Sequence, residues 1–168
     1  MRGVEQEVAT AIGRRPPPSL YEVVGGTSFF TRLVDLFYAG VEHDPVLRPL
    51  YPDDLGPPRH RLAGFLSQYW GGPADYSAER GHPQLRMRHA PFPVGTAERD
   101  AWLGRMRAAL AVVLPDGDSD DEPDAVPADV PADVPPGLDD ATRTRLRATL
   151  TEYFETAADH LVNRREPA

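Results

Sequence analysis

The sequence predicts an all-α fold, and three observations carry that prediction. Apolar residues recur at helical spacing in three long stretches: Phe30, Leu33, Phe37 and Val41; Trp102, Met106, Ala109 and Val113; and Leu146, Leu150, Tyr153, Phe154, Ala157 and Leu161. No run alternates apolar and polar residues as a half-buried strand would. Breakers separate the stretches, at Gly25-Gly26, Gly71-Gly72 and Pro91.

The elements follow in order. Residues 1–18 end in Pro16-Pro17-Pro18 and read as a disordered lead. Ser19 caps a short helix through Val24, which Gly25-Gly26 ends because glycine tolerates left-handed conformations. Thr27 or Ser28 caps a second helix, with Tyr38 beside its apolar stripe. Asp44-Pro45 and Pro49 bracket a turn that delivers Tyr51. A third helix begins at Pro57-Pro58, where proline is tolerated, carries Leu62, Phe65, Leu66 and Tyr69 on one face, and stops at Gly71-Gly72. Residues 73–83 read as loop. A helical turn over Arg86–His89 ends before Pro91. Thr96 caps the Trp102 helix, and a closing helix starts near Asp139 and runs to Asn163, followed by a tail at 164–168.

Between the last two helices, residues 116–138 are rich in acid and proline and poor in large apolar groups. That composition predicts a disordered insertion. It carries little thermodynamic penalty: lengthening a loop fourfold costs roughly 1.2 kcal/mol of closure entropy.

Composition narrows the chemistry. The 168 residues suffice for one core. Cysteine is absent, which excludes disulfides, zinc-thiolate sites and thiol catalysis. All 18 basic residues are arginine, so Schiff-base chemistry and a P-loop are excluded too. The net charge of -8 is local: Asp116–Asp140 holds ten acids and no base, leaving 16 acids against 18 arginines elsewhere. No clustered basic face suggests nucleic acid. No apolar run nears the ~20 residues of a membrane span, and the N-terminus lacks the apolar core of a secretory signal. The expected location is cytoplasmic, without integral membrane association.

The segment from Phe65 to Trp102 carries the chemistry. His89 is preceded by Arg86 and Arg88 and followed by Phe92. One imidazole, two cations and a large apolar slot are what haem demands: an iron ligand, partners for its carboxylates and room for its ring. Five histidines compete. His82 sits in loop between Gly81 and Pro83; His60 lies about 200° around its helix from Leu62; His43 and His160 flank helix ends among charged residues. His89 alone has an apolar, arginine-rich setting. Its second ring nitrogen should donate to a carbonyl near Leu85 or Arg86. Arg86 and Arg88, two apart, cannot both point inward; one of them, or Tyr76, should reach a haem propionate.

The order and spacing of several motifs resemble the truncated haemoglobins, group II, with a composition of actinobacterial type. They are Tyr21 before Gly25-Gly26, Phe37-Tyr38, Leu50-Tyr51-Pro52, Gln68-Tyr69-Trp70-Gly71-Gly72-Pro73, Gly81-His82-Pro83, Leu85-Arg86-Met87-Arg88-His89 and Asp100-Ala101-Trp102-Leu103. The resemblance runs from about Ser19 to Leu114, with the closing helix beyond. It implies a truncated globin domain over 19–163, a two-over-two helical sandwich around haem b with His89 as the iron ligand. It implies Phe65, Leu66, Phe92 and Met106 as haem neighbours. It places Tyr38, Tyr51 and Trp102 around the bound ligand, against a wall of Pro58 and Leu62. The long acidic insertion departs from the short turn usual there.

Phenol and indole donors stabilise the partial negative charge that dioxygen gains on ferrous iron. With no polar group at 58 or 62, the aromatics carry that duty. The leading expectation is therefore a haem protein binding dioxygen, nitric oxide and carbon monoxide at a five-coordinate iron. Tight binding argues for oxygen or nitric-oxide chemistry, such as nitric-oxide dioxygenation, over bulk oxygen transport. Turnover of that kind implies a partner reductase, or an oxidase that receives the oxygen; this chain has no dinucleotide fingerprint of its own. A haem-dependent peroxidase is the second reading, weakened by the lack of a distal histidine as acid–base group. A non-haem interaction module built on the acidic insertion is the third.

Overall fold

Ser19 starts the first helix, α1 (Leu20–Val23), through a reciprocal pair of bonds. Its hydroxyl accepts the Glu22 amide at 3.3 Å, and the Glu22 carboxylate accepts the Ser19 amide at 2.9 Å. The computed structural model describes residues 17–116 and 137–164. The expected leading extension thus lies, but for its last two prolines, outside the described residues.

Helix α2 (Thr27–Glu42) buries the whole predicted stripe, with Phe30, Leu33, Phe37 and Val41 fully enclosed. Neither Thr27 nor Ser28 caps it. Gly26, at φ +88°, takes the cap position, and the Thr27 hydroxyl instead meets the Tyr21 hydroxyl at 2.7 Å. A 3-10 turn (Arg48–Leu50) leads to Tyr51, and α3 (Gly56–Tyr69) follows with prolines in its first turn. The Gly71-Gly72 break does more than stop α3. A Cβ on Gly72 would lie 2.7 Å from both the Ser67 carbonyl and the Tyr21 ring, so only glycine lets α1 dock here.

Residues 73–83 differ from the expected loop, because Asp75–Arg80 form a helix, α4, with Tyr76 buried. Six residues with one large apolar group show no readable periodicity. What stabilises this helix is remote in sequence: the Gln68 amide donates to the Ser77 hydroxyl at 2.7 Å and accepts the Ser77 amide at 2.9 Å. Helix α5 (Leu85–His89) is the predicted turn. Helix α6 (Thr96–Val113) is capped at Gly95, whose amide donates to the Glu98 carboxylate at 2.9 Å; Thr96 is its first residue. Helix α7 (Asp140–Leu161) starts where expected, with Asp139 as its cap bonded to the Thr142 amide at 2.7 Å, and ends at Leu161, short of the expected Asn163.

Helix α2 packs on α3 and α6, and α6 packs on α7, around one continuous apolar core. No strand occurs among the described residues, and no helix there is long and apolar enough to cross a membrane. Of the acidic insertion, 117–136 lie outside the described residues. Its two edges are held: Asp116 pairs with Arg147 at 2.8 Å, and Leu138 packs on the core. At the C-terminal side the Arg164 amide donates to the Val94 carbonyl at 3.0 Å, and the rest of the expected tail, 165–168, lies outside the described residues.

Candidate functional site

Helix α5 has five residues and buries none of them, so its position depends on bonds from outside. It begins at Gln84, in left-handed geometry at φ +44° and ψ +47°. Arg88 does not extend into solvent. Its Nε donates to the Pro83 carbonyl at 2.7 Å and its Nη2 to the Arg80 carbonyl at 2.9 Å. Arg86 is exposed, with no side-chain partner among the described residues.

The His89 Nδ1 lies 2.7 Å from the Leu85 carbonyl. A carbonyl only accepts, so Nδ1 donates its proton here, and in the neutral imidazole Nε2 is the nitrogen with the free lone pair. In the same segment, Met87 and Phe92 are exposed, large apolar side chains left open to solvent. The other histidines are all exposed. His60 pairs with Glu79, His43 and His160 face carbonyls one turn back in their own helices, and His82 stands in the loop before α5.

On the C-terminal side of α5 stands a residue that sequence reasoning missed. The Asn163 side-chain amide donates to the His89 carbonyl at 3.2 Å and to the Phe92 carbonyl at 2.9 Å, and accepts the Val94 amide at 3.0 Å. An asparagine just past a helix end looks like an ordinary terminus. Its partners are about seventy residues away, and nothing local reveals them.

The predicted ligand-side aromatics come together. The Tyr38 and Tyr51 rings meet edge to face at 5.5 Å, and Phe37 links Tyr38 at 5.1 Å to Trp102 at 5.4 Å. The Trp102 indole lies close enough to the Tyr51 hydroxyl to favour its ionised form. Burial pushes the Tyr51 phenol up to about 12, against the opposing effect of that indole. Burial, then the neighbouring Tyr51, also raises Tyr38, although Arg61 and Arg59 pull the other way. Both phenols thus keep their protons at neutral pH. The Arg59 guanidinium sits over the Tyr38 ring at 5.8 Å, a cation–π contact absent from the sequence expectations.

Asp44 fixes the corner that leads to Tyr51. It is buried, caps Val46 and Leu47 through their amides, and binds Arg105 Nε at 2.8 Å. Arg105 follows Trp102 by one helical turn, so this ion pair ties the Tyr51 corner to the Trp102 helix. It crosses α2 at Gly40, where a Cβ would come within 2.8 Å of Arg105 Cδ.

The remaining expected residues divide into two groups. Pro58 is buried and Leu62 half-buried, side by side on α3. Phe65 is half-buried and meets Tyr76 edge to face at 5.5 Å. Leu66 and Met106, expected beside the cofactor, are enclosed by protein in the core and offer no surface to a ligand. No group of three or more His, Asp or Glu side chains gathers among the described residues, so a multi-ligand metal centre is not what these residues form.

The family model for bacterial-like globins matches residues 19–126. The chain belongs to the bacterial-like globins, as a group II truncated haemoglobin. It is 43% identical over 98 residues to a group 2 truncated haemoglobin of Bacillus subtilis, spanning 58% of this chain and 74% of that one. The structure resembles the thermostable haemoglobin of the actinobacterium Thermobifida fusca, with a TM-score of 0.69 and 45% identity over 89% of this chain and all of that one. It also resembles the truncated oxygen-avid haemoglobin of Bacillus subtilis, with a TM-score of 0.67 and 34% identity over 87% of this chain and all of that one.

Haem b is the cofactor of this family, and the helices described above form its globin fold. The residues present fit that group. His89 has its Nδ1 engaged with a carbonyl and its Nε2 open, Arg86 is an exposed cation without a side-chain partner among the described residues, and Phe92 is an exposed aromatic in the same segment.

Proposed function

We propose that this globin holds haem through His89 and binds dioxygen, nitric oxide and carbon monoxide for oxygen or nitric-oxide chemistry rather than transport. When bound, haem supplies an iron that takes diatomic gases. The chain's own residues set how that iron behaves. The observation that carries the reading is the Nδ1 bond of His89 to the Leu85 carbonyl, which leaves Nε2 free and makes the imidazole a better donor. Arg86, exposed and without a side-chain partner among the described residues, reaches a propionate, with Tyr76 beside Phe65 as its helper; Arg88 directs its donors to the end of α4 and the loop before α5. Phe65, Phe92 and the Pro58–Leu62 wall confine the ring.

Trp102 and Tyr51 form the donor pair toward the ligand, with Tyr38 completing the group. The Tyr51 phenol, kept protonated by burial, has its own proton to donate to a ligand. Such donors favour a polar ligand and slow its release, which suits retention over delivery. The oxygen avidity named for the similar Bacillus subtilis protein supports the same direction. Repeated turnover of nitric oxide needs an external reductase, since the sequence contains no dinucleotide-binding fingerprint. We place this chemistry in the cytoplasm.

The experiment is a visible spectrum of the reduced protein, followed by additions of oxygen and then nitric oxide. A five-coordinate ferrous spectrum, a stable oxygenated form and its conversion to ferric protein by nitric oxide are expected. A six-coordinate reduced spectrum that oxygen leaves unchanged would overturn the reading.

A further inference from the structure

We infer that Asn163, at the far end of the chain, is the positioning residue that sets the placement of His89 toward the iron. The inference rests on His89 being the ligand. Helix α5 is too short to be stable alone and buries no side chain, so its bearing must come from elsewhere. Its N-terminal side is tied by Arg88 to the Arg80 carbonyl, at the end of α4, and to the Pro83 carbonyl in the loop between the two helices. Those bonds hold the start of α5 to α4 but reach neither α7 nor the His89 backbone.

The anchor on the other side is Asn163. One side-chain atom contacts two carbonyls, of His89 and Phe92, and the other contacts the Val94 N–H. That pattern admits one orientation of the amide: the shared atom is nitrogen and the second is oxygen. The backbone adds two bonds, the Asn163 and Arg164 amides to the Val94 carbonyl at 2.9 and 3.0 Å. The residue held directly is His89 itself, through its carbonyl. Its ring is already turned by Leu85, so the two contacts are complementary. Leu85 fixes the rotation of the ring, and Asn163 fixes where the backbone carrying the ring stands.

Two variants separate the contributions. Asn163→Ala removes all three side-chain bonds. Asn163→Asp keeps the Val94 acceptor but loses both donations, and turns an oxygen toward two carbonyls. The readout is the iron–histidine stretching band of the ferrous haem protein by resonance Raman, with haem transfer to excess apomyoglobin and the unfolding midpoint measured alongside. Both variants are expected to shift or broaden the band and to lose haem several-fold faster. Asn163→Asp lies beyond the end of α7 and is nearly isosteric, so it keeps the test open should Asn163→Ala fold poorly. A fall in midpoint with an unmoved band in both variants would overturn the inference, since it is what a merely structural tie would give. His89→Gly serves as the control: if it leaves the band in place, the ligand reading itself fails, whereas a band lost there but unmoved at Asn163 sinks this inference alone.

Discussion

The Trp102 indole lies beside the Tyr51 hydroxyl, so these two side chains, from α6 and from the turn after α2, stand together as one donor pair. Neither residue's contribution is then independent of the other.

A bond to a charged acceptor contributes about 1.5–3 kcal/mol, and 1.4 kcal/mol is a factor of about ten. Tyr51→Phe and Trp102→Phe should each speed oxygen release by roughly 10- to 150-fold, more than Leu62→Val does. Because the pair is coupled, the double variant should fall short of the product of the two effects. Carbon monoxide release should respond less. Stopped-flow release rates within a factor of about two of the parent in both single variants would place the donors elsewhere.

The phenol ionisations predict the alkaline behaviour. Tyr51 is pushed up to about 12 and Tyr38 is raised as well, both chiefly by burial. Oxygen release should therefore stay flat up to about pH 10, where an exposed phenol ionises. A raised folded pKa contributes stability that is complete below the unfolded value and is lost as pH rises through the folded one. Unfolding titrations should show stability falling above about pH 10. A rise in oxygen release already near pH 8 would contradict the assignment.

Asp44 predicts the acid limb. Burial alone would raise its carboxyl, but the Arg105 bond and the Leu47 and Val46 amides outweigh burial and hold it below the usual carboxylate range. Its contribution is present above the unfolded pKa of about 4 and is lost as pH falls through the folded value. Asp44→Asn should cost about 1–3 kcal/mol near neutral pH, with a smaller difference from the parent near pH 3. Equal stability of the two at neutral pH, by urea titration, would show that the corner is held by packing alone.

How much of the fold and site is legible in the sequence depends on range. The stripe of α2 is buried throughout as expected and those of α6 and α7 in part, with Trp102, Leu146, Tyr153, Ala157 and Leu161 half-buried, because hydrophobic spacing is a local signal that does not say how deep each position lies. The Gly26 and Gly95 caps, in place of Thr27 and Thr96, turn on backbone geometry that a hydroxyl at the next position obscures. Helix α4 is held by Gln68, nine residues before Ser77 and with no periodic signal to mark the pair, and the α5 segment by Asn163, across a distance that no window spans. Family resemblance groups Leu66 and Met106 with the cofactor residues. Their full enclosure instead depends on how neighbouring helices close over them. The aromatic cluster is legible through the same resemblance, and its Arg59 and Asp44–Arg105 supports are not.

The insertion offers a direct deletion test. Its edges are tied by Asp116 to Arg147 and by Leu138 to the core, while its composition offers the globin no apolar surface. Deleting Asp118–Val134 and joining the ends with a short glycine linker should leave haem content and oxygen release within about a factor of two of the parent, and shift stability by roughly 1 kcal/mol. A large loss in either would show that the segment packs on the globin.

The most direct test of the central claim is the ferrous spectrum of His89→Gly with and without added imidazole. We predict that the variant loses haem or its five-coordinate spectrum, that imidazole restores the spectrum, and that His82, His60, His43 and His160 variants stay unchanged. A His89→Gly protein with parental haem content and an unaltered ferrous spectrum would contradict it.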